Sequence, residues 1–226
     1  MNNDLSNYWK IYNQEKKSLL KKIDDFNNKN KFNFVEYENY NHIRDILSLI
    51  LATINIKPGK CNILDYGSNL LTISNLNNKI DTTRFKFFIF DPFLSKKNKN
   101  QSLKRINYKI SNEKKKIFKN NYTVINFGSS IQYQQDFFEN LEKLNLSKTK
   151  FIIFTSTPFS LSKTYVSKQS NQKYLFQKVY SYNLLVSKLK SKNFKLIFKS
   201  RNNDKYIACN KKLHKTFSLN LVFRNE

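Results

Sequence analysis

The chain has 226 residues and carries 41 Lys plus Arg against 16 Asp plus Glu, a formal net charge of +25. That length suits one domain with an attached extension, and a content of 20 Phe and 13 Tyr supplies enough apolar area to exclude a wholly disordered chain. No apolar run approaches about 18 residues, which excludes a spanning helix in the sequence reading, and Met1–Trp9 lacks the pattern of a secretory leader. Cys61 and Cys209 are too far apart in sequence to suggest a metal knuckle or redox pair, so no metal site is expected and a reducing cytoplasm is the expected setting.

The charge is almost entirely Lys, with only Arg44, Arg84, Arg105, Arg201 and Arg224 as guanidinium groups. Planar phosphate and base recognition favours Arg, and the crowding of Asn, Ile, Phe and Tyr beside three Gly and three Pro is what an AT-rich coding sequence produces. Nucleic acid is therefore possible but not the favoured partner. The dense clusters Lys96–Arg105 and Lys114–Lys119 are either an anion-attracting rim or solvated faces.

In chain order, residues 1–58 read as a helical extension and 59–226 as the main domain. Tyr8, Ile11, Tyr12, Leu19, Ile23 and Phe26 mark an imperfect apolar stripe. A cleaner one follows at Ile43, Ile46, Leu47, Ile50, Leu51 and Ile54, and Pro58 and Gly59 stop it. Short apolar runs without alternation then predict strands buried on both faces at Ile63–Tyr66, Phe85–Phe90, Tyr122–Phe127 and Phe151–Phe154. Connecting helices are predicted at Leu70–Lys79, Asp136–Leu146 and Tyr174–Leu189. Further strands are predicted at Phe194–Phe198, Tyr206–Cys209 and Leu219–Phe223, the last two as an antiparallel hairpin. The expectation is a Rossmann-like, doubly wound, mostly parallel α/β sheet.

Asn62-Ile63-Leu64-Asp65-Tyr66-Gly67-Ser68-Asn69-Leu70 carries the strongest chemical signal. A buried strand ends in a carboxylate and a Gly where a helix should begin, the usual ligand crevice of such a sheet. Asp91 follows Asp65 by 26 positions at the end of the next predicted strand, a spacing that suits a carboxylate accepting hydrogen bonds from ribose hydroxyls. Each residue also has a plain structural reading, as a turn or a helix cap. His42 and His214 read as surface or packing residues.

Ile63–Gly67 and Phe90-Asp91-Pro92 resemble the first two motifs of class I S-adenosylmethionine-dependent methyltransferases. Asn126–Tyr133, Thr157-Pro158-Phe159, Val166 and Gln169 resemble a methyltransferase family often encoded among bacterial surface-polysaccharide genes, over about residues 60–200. The resemblance implies S-adenosylmethionine as cofactor, with Asp65, Gly67, Ser68, Asn69, Asp91 and Gly128 around it. It implies Ser129, Gln132, Tyr133 and Thr157 on the side of a small-molecule or sugar-linked acceptor. Asn69 and Leu71 stand where the family's further glycines would be, and no residue offers itself as a general base. A non-catalytic binding module, an RNA or DNA methyltransferase and a sugar-nucleotide enzyme are the competing expectations.

Overall fold

The computed structural model describes residues 45–54, 61–67, 72–73, 76, 79–92, 106–134, 136–168, 176–209 and 212–226. The predicted stripe from Tyr8 to Phe26, Ser68, Asn69, the cluster Lys96–Arg105, and His42 and Gln169 lie outside them.

Helix α1 (Asp45–Thr53) realises the second predicted stripe, burying Leu47 and Leu51. Strands β1 (Cys61–Tyr66), β2 (Phe85–Phe90), β3 (Tyr108–Ser111), β4 (Val124–Gly128) and β5 (Phe151–Ser160) pair in parallel in the order β3-β2-β1-β4-β5. The switch in strand order between β1 and β4 opens the ligand crevice of an α/β sheet. Helices α2 (Lys114–Phe118) and α3 (Phe137–Lys143) lie in the connections on either side of β4. Thr72, Ile73 and Leu76 are helical, in keeping with the expected connection after β1.

The C-terminal third departs from the sequence reading. Residues predicted to begin a helix at Tyr174 instead form β7 (Phe176–Ser181), paired antiparallel with β6 (Tyr165–Lys168). Helix α4 (Tyr182–Lys190) starts only where the Ser181 side chain accepts from the Leu184 amide. The two strands predicted at Phe194–Phe198 and Tyr206–Cys209 are one strand, β8 (Phe194–Cys209), which returns through β9 (Lys212–Asn225) as a long hairpin. β9 inserts antiparallel between β5 and β8. β3 was not predicted. It is four residues long at the sheet edge and none of its residues is buried, so it carries no apolar run.

Alternation through the pleat divides the core into two layers. Leu64, Tyr66, Ile125, Phe127, Phe154 and Phe223 pack on one face with α2, α3 and α4. Ile63, Phe87, Ile89, Val124, Ile153 and Val222 pack on the other with α1, Ile73 and Leu76. Phe154 stands at the centre of the first layer, stacked on Phe127 at 5.2 Å between centroids and edge-on to Phe137, Phe159 and Phe223. No helix among the described residues is long and apolar enough to cross a membrane.

Phe154→Ala is expected to cost about 3–5 kcal/mol, read as a lower denaturant midpoint with an unchanged slope. Alkaline pH is expected to destabilise the fold as well. Tyr122 and Tyr180 are buried and donate to the carbonyls of Ile117 and Gln134, and burial pushes both phenols up from 10 to about 12. The unfolded chain releases these protons from about pH 10 while the folded chain holds them, so stability is full below that pH and falls across the interval to about 12. Denaturant midpoints across that range test this, and Tyr122→Phe and Tyr180→Phe should each flatten the fall.

Candidate functional site

Among the expected site residues that the structure describes, Asp65, Gly67, Asp91, Gly128, Ser129, Gln132 and Tyr133 lie at or just past the C-terminal ends of β1, β2 and β4. Gly67 follows β1 with φ +74°, and its amide donates to the Phe90 carbonyl at 2.6 Å. That bond ties the β1 turn to the last residue of β2 and sets Asp91 beside Gly67. Asp91 is buried, and its own amide donates to the Ser111 carbonyl. From the other side Ser130 donates its hydroxyl to the Tyr66 carbonyl at 2.8 Å. A Cβ added to Gly67 would lie 2.3 Å from the Ser130 Cβ. The space that glycine leaves is therefore filled by Ser130, a contact invisible in the sequence.

Asp65 is buried at the end of β1, and Asn126, its partner in the β1–β4 register, donates Nδ2 to Asp65 Oδ1 at 2.8 Å. A carboxylate oxygen only accepts, so this bond fixes which way the Asn126 carboxamide points. Asn126 Oδ1 is turned away from Asp65, buried and without a hydrogen-bond partner among the described residues. Gly128 lies beside the same side chain: a Cβ there would stand 3.3 Å from Asn126 Nδ2 and 3.5 Å from Thr155 Oγ1.

Beyond β4, Ser129 has φ +48° and donates its amide to the Thr155 carbonyl. Ser156, the extra residue of a bulge in β5 between Phe154 and Thr157, has φ +48° too. Left-handed backbone at a non-glycine residue is strained, and such strain and bulges cluster at functional sites. The two residues are joined, since Ser129 Oγ donates to the Ser156 carbonyl at 3.1 Å. The Ser156 amide donates to Asn220 Oδ1 of β9, which holds the bulge open. Gln132, in the 3-10 turn Ile131–Tyr133, donates Nε2 to Ser129 Oγ at 3.0 Å. Tyr133 is half-buried in the same turn, its amide donating to the Ser130 carbonyl.

The strand expected at Phe151–Phe154 would leave Thr155, Thr157 and Pro158 just beyond its end, on the rim of the acceptor side. They lie within β5, which runs on to Ser160 because β9 pairs along it. Thr157 is fully buried and its hydroxyl donates to the Thr155 carbonyl. Two contributors were not among the expected site residues. One is Ser130, and the other is the β6–β7 hairpin. One edge of β5 pairs with β9 throughout, while the other pairs with β4 up to Thr155 and with β7 at Phe159 and Ser160. The hairpin therefore stands directly above the end of β4, and the Tyr180 hydroxyl donates to the Gln134 carbonyl there at 2.5 Å.

At the start of α3, Asp136 accepts from Lys114 and from Asn140 Nδ2. Burial pushes its carboxyl up, and the Lys114 ammonium outweighs that, leaving it below the usual range. Burial, with the Asp136 charge second, holds the Tyr66 phenol well above its ordinary value. Tyr66 is thus neutral and not a base at neutral pH. Among the described residues no group of His, Cys, Asp and Glu could hold a metal ion.

Gly67→Ala is expected to destabilise the protein by more than the roughly 1–2 kcal/mol of left-handed strain alone, because the new methyl also meets Ser130. Adding Ser130→Gly should recover the steric part and leave the strain. Because Ser130→Gly alone also loses the bond to the Tyr66 carbonyl, the test is the double-mutant cycle: a Gly67→Ala cost that is the same with Ser130 and with Gly at 130 would refute this packing.

The sequence matches no protein-family model and no curated protein. The fold does match solved structures. One is the 1,6-didemethyltoxoflavin-N1-methyltransferase of Burkholderia thailandensis with 1,6-didemethyltoxoflavin and S-adenosylhomocysteine bound, at 10% identity and a TM-score of 0.50 over 96% of this chain and 89% of that one. Another is a protein of Listeria monocytogenes assigned as an S-adenosylmethionine-dependent methyltransferase, at 9% identity and 0.50 over 81% and 98%. The mostly parallel sheet with β9 reversed between β5 and β8 is the Rossmann-like fold of the class I methyltransferases.

Proposed function

We propose that the chain is an S-adenosylmethionine-dependent methyltransferase acting on a small-molecule or sugar-linked acceptor. The observation that carries the reading is the bond from the Gly67 amide to the Phe90 carbonyl, which brings a left-handed glycine and the Asp91 carboxylate together at the strand-order switch. Asp91 in that place suits a ribose diol, which needs an acceptor for its two hydroxyl donors. The described residues fit the cofactor further in offering buried acceptors, Asp65 and Asn126 Oδ1, where its ammonium-bearing end would extend. Gly128 would flank it.

When bound, the cofactor would supply an electrophilic methyl group with its sulfur as the leaving atom, and the acceptor proton would pass to solvent. The protein's part is to hold the two reactants in line at near-attack distance. In this reading Asp91 would fix the ribose, and Ser129, Gln132 and Tyr133 would support the acceptor side. The hairpin above β4 narrows that side, which supports a small acceptor over a duplex. The likeness of Asn126–Tyr133 to the family found among surface-polysaccharide genes supports a saccharide-linked one. We take the setting to be cytoplasmic, where the cofactor is made and where Cys61 stays a buried free thiol.

Calorimetric titration with S-adenosylhomocysteine should show micromolar binding. Asp91→Ala should weaken it by about 1–3 kcal/mol, the scale of a lost charge-assisted hydrogen bond. Undiminished binding in the variant removes the ribose assignment. No binding by the folded wild type makes the chain a non-catalytic module.

A further inference from the structure

The hydrogen-bond relay through Gln132 has a direction that can be derived rather than assumed. The Ser156 carbonyl can only accept, so the single hydroxyl proton of Ser129 is committed to it. Ser129 Oγ is then left as an acceptor, and the Gln132 atom facing it must be the amide nitrogen. The carboxamide oxygen Oε1 is turned the other way. Gln132 is only 5% exposed, and Oε1 is buried with no hydrogen-bond partner among the described residues. A buried acceptor left without a donor costs about 1–3 kcal/mol, and this one is held in place by two strained residues, Ser129 and Ser156. Such a cost is expected where a ligand supplies the donor.

We propose that Gln132 Oε1 is the specificity-determining contact for the methyl acceptor, receiving a hydrogen bond from the N–H or O–H of the atom that is methylated. The inference rests on the methyltransferase reading and adds to it the acceptor class, an amine or a hydroxyl. Position along the sheet separates this role from the ribose contact. Asp91 follows β2, whereas the Gln132 relay bridges β4 and β5, two to three strands away in the order β2-β1-β4-β5, or about 10–14 Å at ordinary strand spacing. An amide oxygen is no base at neutral pH. Gln132 therefore orients the acceptor lone pair, while the proton leaves to solvent.

The experiment compares two ligands on the full chain by calorimetry. S-Adenosylhomocysteine has no group where the methyl is transferred. Its analogue sinefungin carries an ammonium there, a donor at the methyl position that faces the acceptor side. The wild type is expected to prefer sinefungin by about tenfold, and Gln132→Met, which keeps length and loses the oxygen, should erase that preference while leaving S-adenosylhomocysteine affinity unchanged. Gln132→Glu exchanges the Nε2 donor for a second acceptor, so it breaks the bond to Ser129 Oγ, and its charge should raise the preference for the ammonium ligand above that of the wild type. Should Gln132→Met fail to fold, Gln132→Asn withdraws the oxygen by one methylene and is expected to lose the preference likewise. A wild type that binds both ligands alike, or a variant whose preference is intact, overturns the role of Gln132 and leaves the methyltransferase reading standing. Failure of the folded wild type to bind either ligand overturns both.

Discussion

The end of the sheet is organised around one close approach, the seating of Ser130 against Gly67. A left-handed glycine after β1 turns its amide onto the last carbonyl of β2, and the gap where its side chain would be is taken by a serine arriving from β4. Ser130 also donates to the carbonyl of Tyr66. Three strands, β2, β1 and β4, are thereby fixed at their C-terminal ends to within a hydrogen bond of one another. The carboxylates that end β1 and β2 inherit their positions from this junction. A glycine that looks in sequence like a concession to a ligand is first a requirement of packing.

From there the acceptor side is set by how β5 spends its two edges. β9 occupies one edge throughout and forces the bulge at Ser156, while the other edge passes from β4 to β7. The aromatic layer beneath, with Phe127, Phe137 and Phe154 in mutual contact, keeps the strands from relaxing this arrangement. Strain at Ser129 and Ser156 is thus held by neighbours on β5 and β9. The polar groups that result are oriented by bonds whose direction is forced, because each ends in a carboxylate or a carbonyl that can only accept.

Several cations among the described residues are taken up in ion pairs. Lys79 pairs with Asp45, Lys114 with Asp136, Lys116 with Glu113, Lys188 and Lys192 with Glu142, and Lys195 with Glu226. Lys188 and Lys199 also lie over the rings of Phe138 and Tyr182. Partly exposed pairs of this kind contribute little stability. The strand ends that form the candidate site present Asp65, Asp91 and carboxamide oxygens, groups that suit donors rather than phosphates.

What the sequence by itself determined was the sheet and its two carboxylates. Uninterrupted apolar runs at Ile63–Tyr66 and Phe85–Phe90 are legible because strands buried on both faces need no alternation, and the residues that end them must then lie at the crevice. Gly128, Ser129 and Gln132 came from the resemblance rather than from the apolar runs, and they follow or end β4. The local logic failed where pairing partners decide conformation. Phe176–Ser181 became a strand because β6 and β5 offered it edges, β5 ran on to Ser160 because β9 lay beside it, and Thr157 went from an expected rim to the interior. Only the tertiary structure decided that Ser130 fills the space at Gly67, and which way the Asn126 and Gln132 carboxamides face. These depend on contacts between residues 27 to 64 positions apart, and no local pattern encodes the direction of a hydrogen bond.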